Sequence, residues 1–546
     1  LGGKTPSIVF PDADLDQALA GSVFTSFLNC GQICTAGTRL LVHDSIADEF
    51  VARLSDRVAS LTLGDPLADG TKLGPLVSRE QQARVLSYIE SGIEAGAQRI
   101  LGEMPVELSP ELREGFFVTP TIFDHVDQAM PIAREEIFGP VLVAMTFRTP
   151  KEAVALANNT RYGLAASIWS DNVNLALEVA QRVKAGTVWV NCTNLFDAAS
   201  GFGGYRESGF GREGGKEGLF EYLRPAWEER PRPQLGESSG KWGSAVPGRP
   251  ARVNGHTVKT NGAFGTIDRT PKLFIGGKQK RPDGAYSRVV YSPEGEIVGQ
   301  VADGNRKDIR DAVEAARKAE SWADKTGHAR AQILYYIGEN LSARADEFAA
   351  RIAAMTGHSV FSAREEVELS IRRLFTYAAW ADKYGGEVKE TTLRGIVMGL
   401  NEAIGVVGIA CPDEYPLLGF VSLFAPAIAR GNTVVVVPSE KYPLSATDFY
   451  QIFETSDVPG GVVNIVTGVR DVLTKTLVEH DDVDAMWYFG AAEGSCYVEQ
   501  LSASNMKRTW VGYGIARDWT NSEQGEGHEF LRESTQVKNI WVPTGE

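Results

Sequence analysis

Apolar positions in the first 223 residues switch between a helical spacing and short continuous runs. Two segments place apolar residues on one face of a helix, at Leu15/Leu19/Val23 and at Leu175/Val179/Val183. Asp14 stands at the N-cap of the first segment, and Gly186 is the expected C-cap of the second. Short runs typical of buried strands lie at 39–42, 141–145 and 187–190. Helices that alternate with such strands predict an α/β domain with a mainly parallel sheet.

The pattern changes after residue 270. Hairpin-like runs at 273–277 and 289–295 come first, and long helices follow, with stripes at Ile309/Val313/Ala316 and Ile333/Ile337/Leu341. Two runs at 405–410 and 433–437 are candidates for buried strands, and a helical segment lies between them. This order predicts a β-α-β unit, the usual framework of a dinucleotide-binding sheet.

The two blocks are separated by residues 224–270, which are rich in Pro, Gly, Ser and charged residues. The stretch offers few apolar side chains to bury, and it is longer than most loops inside a domain. We therefore expect a first domain over 1–223, a linker over 224–270 and a second domain over 271–546.

The composition limits the classes of function. The 546 residues carry a formal net charge of −15, which argues against a broad surface for nucleic acid. No run of about 18 apolar residues occurs, so a membrane span is not expected. Five cysteines in this length are too few for a disulfide framework, which favours a reducing, cytoplasmic setting. No group of His, Cys, Asp or Glu has metal-ligand spacing, and no metal is expected.

Several short motifs follow one another in the first block. They are Leu-Gly-Gly-Lys at 1–4, Gly-Gln-Ile-Cys at 31–34, Glu-Glu-Ile-Phe-Gly-Pro at 135–140, Gly-Thr-Val-Trp-Val-Asn at 186–191 and Phe-Gly-Gly-Tyr at 202–205. In this order they resemble the catalytic half of an aldehyde dehydrogenase. The resemblance implies the aldehyde dehydrogenase fold and the oxidation of an aldehyde to a carboxylic acid with NAD or NADP, of which NAD is favoured.

The resemblance assigns the chemistry to Cys34, the last residue of the Gly-Gln-Ile-Cys motif. Sulfur attacks a carbonyl well and leaves well, so a thiohemiacetal can form, lose hydride to nicotinamide and become a thioester that water hydrolyses. The backbone N–H of Cys34 can donate to the oxyanion. The catalytic glutamate of the family would fall one position before Leu1. Cys30 and Cys192 are interpreted as small buried residues.

Other site residues follow from the same resemblance. Glu136 and Phe138 match positions that hold the nicotinamide end of the cofactor. Gln81 and Arg84 match positions on the adenosine side, although both would also suit a plain surface. Three residues match the wall of the substrate tunnel, although aromatic rings near a strand end are also common in a core: Phe202, Phe196 and Asn194.

The second block resembles the dinucleotide-binding half of the same family, with four departures. Glu414 stands where the family has the asparagine that donates to the oxyanion, and Val437 replaces a lysine that binds the adenosine ribose. Ala491 and Ala492 replace Ser and Thr near the pyrophosphate helix. Gly512 replaces the general base of the Glu-Leu-Gly-Gly motif. These losses predict a degenerate Rossmann-like domain that keeps its fold without its chemistry.

Residues 530–543 resemble the closing oligomerisation strand of the family. The order of the blocks fits a tandem protein of the family-sixteen type, whose second copy is degenerate and whose first cofactor-binding half would precede Leu1. A circular permutant, in which the second block serves Cys34, is the alternative arrangement. In the tandem, the second copy could pair with the strand that a dimer mate usually supplies.

We therefore expect an NAD(P)-dependent aldehyde dehydrogenase with a structural second domain, acting on a small-molecule aldehyde as a homo-oligomer, with a dimer favoured. Because the general base and the oxyanion asparagine are expected before Leu1, the chain alone should not turn over. Two other functions stay open. One is a pseudoenzyme scaffold without a reactive thiol, and the other is an acylating enzyme that passes the thioester to coenzyme A. Neither nucleic acid nor a membrane is an expected partner.

Overall fold

The structure is a computed structural model that describes residues 2–102, 108–228, 242, 253–254 and 271–544. In residues 2–228 the strands are β1 (Pro6–Val9), β2 (Arg39–His43), β3 (Gln98–Leu101), β4 (Thr121–Asp124), β5 (Val141–Phe147), β6 (Ala165–Trp169) and β7 (Thr187–Val190). The helices of this part are α1 (Leu15–Phe27), α2 (Ala47–Ala59), α3 (Arg79–Glu94), α4 (Pro131–Arg134), α5 (Pro150–Asn158), α6 (Val173–Arg182) and α7 (Gly215–Phe220). Short 3₁₀ turns lie at Leu28–Gly31, Asp44–Ile46, Pro110–Leu112 and Arg206–Ser208.

The rest of the described chain contains further strands and helices. Its strands are β8 (Val253–Asn254), β9 (Leu273–Ile275), β10 (Lys278–Lys280), β11 (Tyr286–Tyr291), β12 (Ile297–Ala302), β13 (Gly386–Lys389), β14 (Gly395–Ala403), β15 (Val406–Ala410), β16 (Thr433–Val437), β17 (Val463–Ile465), β18 (Ala485–Tyr488), β19 (Arg508–Val511) and β20 (Thr535–Pro543). Its helices are α8 (Arg306–Lys318), α9 (Gly327–Ala343), α10 (Ala345–Thr356), α11 (Val360–Trp380), α12 (Leu418–Ala429), α13 (Leu444–Asp448), α14 (Tyr450–Thr455), α15 (Arg470–Val478), α16 (Ala492–Ser502), α17 (Ser522–Glu526) and α18 (His528–Glu533), with a 3₁₀ turn at Glu320–Trp322.

The chain divides into two compact units. The first unit comprises Leu1–Leu223, Gly386–Leu400 and Val537–Glu546, and the second comprises Arg224–Gly385 and Asn401–Gln536. Two segments of the block expected at 271–546 therefore belong to the first unit. The linker expected at 224–270 lies outside the described residues except for 224–228, 242 and 253–254.

The first unit is built on a ten-stranded sheet in the order β13-β14-β20-β7-β6-β1-β2-β5-β4-β3. Strands β4, β5, β2, β1, β6 and β7 run parallel, and β20 pairs in parallel with β7, with Trp541 opposite Trp189. Strand β3 is antiparallel to β4, and β13 is antiparallel to β14. Every residue of β1, β6 and β7 is buried, as expected for a sheet covered on both faces. The α/β prediction is confirmed.

The second unit contains a seven-stranded sheet in the order β10-β9-β17-β16-β15-β18-β19 and a three-stranded sheet in the order β12-β11-β8. Strands β17, β16, β15, β18 and β19 are parallel, and the wholly buried helix α12 connects β15 to β16. The predicted β-α-β unit is confirmed. The hairpin of β9 and β10 turns through Gly276 (φ 65°) and Gly277 (φ 75°), the conformation that a two-residue turn requires.

Two local predictions about helix ends have different outcomes. Asp14 caps α1 as predicted, since its carboxylate accepts from the backbone N–H groups of Asp16 and Gln17 at 3.0 Å. The prediction that Gly186 caps α6 is wrong, because the helix ends at Arg182 and its C-cap residue is Val183, whose backbone turns extended (φ −70°, ψ 130°). Gly186 is instead required by packing, since a Cβ there would overlap the carbonyl oxygen of Gly203.

Among the described residues, no helix combines the length and apolar character needed to cross a membrane. The same residues contain no group of three or more His, Cys, Asp or Glu side chains that could hold a metal ion.

Candidate active site

The turn that carries Cys34 follows α1 and depends on glycine. The 3₁₀ turn Leu28–Gly31 has left-handed backbone at Asn29 (φ 51°) and Cys30 (φ 57°), and Gly31 continues it at φ 70°. A Cβ on Gly31 would overlap the carbonyl oxygen of Gly139. The turn therefore packs its backbone directly against the loop that follows residue 138.

Cys34 lies just after this turn, with its side chain half-buried. A Cβ on Gly3 would lie 2.8 Å from the carbonyl oxygen of Cys34, so glycine permits this close approach. Thr35 donates through Oγ1 to Asn194 Oδ1 at 2.8 Å, and Asn194 Nδ2 donates to Thr25 Oγ1 at 3.3 Å. Asn194 thus ties the thiol turn to the loop that follows β7.

Gly2 and Gly3 also lie against the side chain of Glu136. The N–H of Gly3 donates to Glu136 Oε1 at 3.1 Å, and a Cβ on Gly2 would lie 2.8 Å from Oε2. Burial raises the pKa of the carboxyl, while the Gly3 N–H and the charge of Arg84 oppose that shift. Because Gly3 contacts both Glu136 and the carbonyl of Cys34, one backbone segment positions the carboxylate and the thiol turn.

Two effects keep the Cys34 thiol protonated. Burial raises its pKa, and the charge of Glu136 raises that pKa further, while hydrogen bonds from the backbone of the turn oppose both. Burial also raises the pKa of Cys192 to about 12. The pKa of Cys30 is raised by burial as well, and its Sγ donates to the carbonyl oxygen of Gly74 at 3.2 Å. A reaction at Cys34 therefore requires a base that takes the thiol proton.

Helix α3 holds the backbone of the loop at 136–138. Gln81 Nε2 donates to two carbonyl oxygens of this loop, at 3.1 and 2.9 Å, and Arg84 Nη2 donates to the carbonyl of Glu136 at 3.1 Å. These bonds fix Phe138 at φ 60°, an uncommon conformation for an aromatic residue. The four predicted cofactor residues therefore lie together, and Gln81 and Arg84 position the loop. Their contact with the adenosine side stays a prediction.

The predicted substrate residues share one loop. The rings of Phe196 and Phe202 lie edge to face with centroids 5.2 Å apart, and Phe196 packs on Trp189 at 5.6 Å. The backbone of Phe202 pairs with Glu213 in both directions, at 2.7 and 2.8 Å. The two phenylalanines border a cavity of about 460 Å³ within the first unit. Asn194 lies at the end of the loop that is bonded to the thiol turn.

The motifs do not assign roles to two further residues at this site. Lys4 is buried, its Nζ has no hydrogen-bond partner among the described residues, and burial together with the charge of Arg39 lowers its pKa to about 7. Ser208 donates to the carbonyl of Gly2 at 2.6 Å and accepts from the N–H of Gly163 at 3.0 Å. Lys4 completes the Gly-Gly-Lys motif and could have been found from it. Ser208 bonds to residues far away in the sequence, so no local sequence pattern indicates its role.

The second unit has its own crevice at the carboxyl ends of β15 and β18, where the strand order reverses. Asp413 there accepts from Ser439 Oγ at 2.7 Å and pairs with Arg470 Nη1 at 3.2 Å. Arg470 also donates to the carbonyl of Cys411 at 3.1 Å. Glu414 is exposed beside them. Asp413 and Arg470 therefore pair with each other at this edge of the sheet.

The first turn of α16 packs against Tyr488. A Cβ on Gly490 would lie 2.5 Å from the Tyr488 ring, and a Cβ on Gly494 would overlap its hydroxyl. Ala491 is the N-cap residue of α16 and makes no side-chain cap. The N–H of Gly512 donates to the carbonyl of Tyr488 at 3.0 Å. Gly490 and Gly494 thus pack against the Tyr488 side chain, and Gly512 bonds to the Tyr488 backbone.

Comparison with known proteins identifies relatives for much of the chain. The model of the aldehyde dehydrogenase family matches residues 1–227 and 281–515. The putative aldehyde dehydrogenase DhaS of Bacillus subtilis is 48% identical over 229 residues, which cover 42% of this chain and 45% of that protein. The betaine aldehyde dehydrogenase of the same species is 47% identical over 222 residues, 41% of this chain and 45% of its own length. A crystal structure of betaine aldehyde dehydrogenase from Staphylococcus aureus matches with 41% identity and a TM-score of 0.40, covering 41% of this chain and 44% of that one. The chain thus spans under half the length of these relatives.

Proposed function

Because the chain belongs to the aldehyde dehydrogenase family, we propose that it carries out the thiol chemistry of an NAD(P)-dependent oxidation of an aldehyde to a carboxylic acid. The observation that carries the proposal is the thiol turn itself. Cys34 is half-buried after a glycine-dependent turn, and the Gly3 segment that contacts it also holds the Glu136 carboxylate. This arrangement is typical of a positioned nucleophile beside a fixed acceptor.

The residues of the chain account for the steps on sulfur. Since burial and the charge of Glu136 keep Cys34 protonated, a base removes the proton as sulfur attacks the aldehyde carbon and a thiohemiacetal forms. The backbone N–H of Cys34 donates to the developing oxyanion. Oxidation converts the adduct into a thioester, and water hydrolyses the thioester to release the acid and restore the thiol.

The loop at 136–138 fits the nicotinamide end of NAD or NADP. The Glu136 carboxylate accepts one backbone N–H through Oε1, so it keeps acceptor capacity for ribose hydroxyl groups. Phe138 is half-buried on the same loop, and its ring is suited to lie against a flat base. Gln81 and Arg84 hold this loop from α3 and so keep both groups in place. When bound, the cofactor supplies the hydride acceptor.

The enzymatic test measures the absorbance of NAD(P)H formed from an aldehyde and either NAD or NADP. Cys34→Ser should abolish the signal, and Cys192→Ser is the matched control that should keep it. Acid formed without coenzyme A supports hydrolysis of the thioester. A strict need for coenzyme A would instead identify the acylating alternative.

A second test isolates the nucleophile and needs no cofactor. p-Nitrophenyl acetate should acylate the chain in a burst of one equivalent, and mass spectrometry should locate the acetyl group on Cys34. Iodoacetamide should label the same residue first. If Cys34 is neither acylated nor labelled and no NAD(P)H forms, the pseudoenzyme scaffold replaces this proposal.

The second unit is proposed to be structural, the degenerate copy of a tandem protein. The paired Asp413 and Arg470 of its crevice and the packing of α16 on Tyr488 support this role.

The variant Ala491→Asp tests whether the second unit is structural or binds the cofactor for Cys34, as in a circular permutant. The residue is exposed at the N-cap of α16 with φ −65° and ψ 156°, where an aspartate stabilises the helix. Its negative charge would repel a pyrophosphate at that helix end. A structural second unit predicts unchanged NAD(P)H formation, whereas loss of activity in a folded variant would favour the permutant.

A further inference from the structure

Residues 194–202, which follow β7 and are called the β7 loop here, are held by side chains at three points within the first unit. At the first point, Asn194 accepts from Thr35, the neighbour of Cys34. The other two points involve residues that lie 195 and 338 positions further along the chain. The β7 loop therefore connects the thiol turn to segments that are distant in the sequence.

The middle of the β7 loop is bonded to the turn between β13 and β14. Asp197 Oδ2 accepts from the backbone N–H and the hydroxyl of Thr392 at 2.9 and 2.6 Å. Asp197 Oδ1 accepts from the N–H of Ala199 at 2.8 Å, so the same carboxylate also fixes the backbone of the loop. One side chain thus determines both the shape of the loop and its place against the hairpin.

The end of the β7 loop is bonded to β20. Asn539 is fully buried, and its Nδ2 donates to the carbonyl oxygen of Gly201 at 2.5 Å. Gly201 precedes Phe202, whose backbone pairs with Glu213 in both directions. The bond from Asn539 therefore fixes the backbone next to Phe202.

A buried ion pair lies beside this bond. Lys389 of β13 pairs with Glu217 of α7, and a Cβ on Gly201 would lie 3.1 Å from the carboxyl carbon of Glu217. A Cβ on Gly399 of β14 would lie 2.8 Å from Lys389 Cε and 3.2 Å from Asn539 Oδ1. Glycine at both positions permits the close packing of β14 and α7 around the end of the loop.

The stability of β20 alone does not account for the amide of Asn539. Its Oδ1 is buried and has no hydrogen-bond partner among the described residues. A buried amide with an unsatisfied oxygen costs stability relative to an apolar side chain, which needs no partner. The amide therefore serves the bond to Gly201 and the loop that this bond holds.

We propose that Asn539 and Thr392 are positioning residues for the reaction at Cys34. They act through the β7 loop, which carries both predicted substrate phenylalanines and whose first residue is bonded to the thiol turn. Segments 386–400 and 537–544 thereby complete the reaction site of the first unit. Their role in the reaction rests on the proposed function, whereas their contacts with the loop do not depend on it.

Native-state hydrogen exchange on the full chain tests the positioning without any reaction. Asn539→Ala should speed exchange at the hydrogen-bonded amides of the β7 loop by at least about tenfold, because the carbonyl of Gly201 loses its buried donor. Unchanged exchange in this variant would overturn the proposal.

Lys538→Met is the matched control for Asn539→Ala. Lys538 is the neighbouring residue of β20, is also fully buried, and donates to the carbonyl of Gln181 on α6 at 2.7 Å. The control therefore removes a buried side-chain bond of the same strand without touching the β7 loop. Exchange in the loop should stay within about threefold of the unsubstituted chain. An equal rise in both variants would show general loosening of β20 and refute the specific role of Asn539.

The effect on the reaction is measured by the acylation burst at Cys34 with p-nitrophenyl hexanoate. Its concentration dependence gives a half-saturating ester concentration and a limiting rate. Asn539→Ala should raise the half-saturating concentration by about tenfold and change the limiting rate by less than about twofold, because a loosened loop weakens binding of the acyl chain and leaves the thiol in place. Lys538→Met should keep both values. Faster exchange with an unchanged half-saturating concentration would overturn the role in the reaction.

Thr392→Val and Thr392→Ser form a second test that changes no buried residue. Thr392 is exposed, so both variants should fold. Valine removes the hydroxyl that donates to Asp197 and should raise the half-saturating concentration of the hexanoate ester by about threefold. Serine keeps a hydroxyl and should restore the original value. Equal values for the two variants would refute the role of Thr392.

Two results separate a wrong function from a wrong role for Asn539. If Cys34 of the unsubstituted chain is not acylated while Asn539→Ala speeds exchange in the loop, the proposed function fails together with the role in the reaction, and the loop contact stands. If Cys34 is acylated in the unsubstituted chain and Asn539→Ala acylates with the same half-saturating concentration, this inference alone fails.

Discussion

Removing the Lys389 ammonium should loosen the β13–β14 hairpin from the first unit. Lys389 pairs with Glu217 of α7, and the two side chains are 4% and 11% exposed. Lys389→Met leaves the Glu217 carboxylate buried without a cation, and breaking a pair of this kind costs about 3–5 kcal/mol. Since 1.4 kcal/mol is a factor of ten, the hairpin should open at least about a hundredfold more often.

Native-state hydrogen exchange measures this opening at the amides of 386–400, with the amides of β4 and β5 as an internal reference. The double variant Lys389→Met/Glu217→Leu should recover protection to within about tenfold, because apolar residues often replace a buried ion pair at little cost. Lys383 and Asp382 form an exposed pair, so Lys383→Met should change protection by less than about fivefold. The reasoning is refuted if the single variant keeps full protection or the double variant loses as much as the single.

Three further changes test the thiol turn. Gly31→Ala should lower the free energy of urea unfolding by at least about 2 kcal/mol, because the residue has a φ of 70° and an added Cβ would overlap the backbone of Gly139. Gly211→Ala is the control and should be near neutral, because no atom lies within 4 Å of an added Cβ. Lys4→Met should raise the free energy of unfolding at pH 6. It should also remove the increase in that free energy between pH 7 and 10.5, because the buried amine, with a pKa of about 7, binds fewer protons in this range than the same amine in the unfolded chain. A dependence of stability on pH that Lys4→Met leaves unchanged would contradict this. Glu136→Gln should speed iodoacetamide labelling of Cys34 at pH 7, since the lost charge lowers the pKa of the thiol, and an unchanged rate would count against that coupling.

Features that depend on neighbouring residues could be predicted from the sequence. The Asp14 cap places the start of α1, and short apolar runs identify β2, β5 and β7. The Gly-Gln-Ile-Cys motif points to Cys34, and the structure places it after a turn that only glycine can complete at position 31. Each of these signals is set by residues a few positions apart, so no knowledge of the packed chain is needed to detect it.

Features that depend on distant residues could not be predicted in the same way. The resemblance of 530–543 to a strand of the family indicates a strand, but only the packed chain shows that Asn539 lies opposite Thr187 on β7. Gly186 satisfies the local rule for a C-cap, yet the backbone of Gly203 is what requires it. The cavity has the same origin, because Trp541 and Phe196 both line it and the pairing of β20 with β7 brings Trp541 there.

Two arginines of the second unit have partners within that unit. The Arg517 guanidinium carbon lies 4.6–5.8 Å from the centroids of five rings: Trp227, Phe489, Trp510, Trp519 and Phe530. Arg517 also pairs with Glu529 at 3.1 Å, as Arg470 pairs with Asp413 in the crevice. A binding site that only lost its ligand contacts would keep unpaired buried charges, each of which costs several kcal/mol. Arg517 and Arg470 are paired instead, which supports the proposed structural role of the unit.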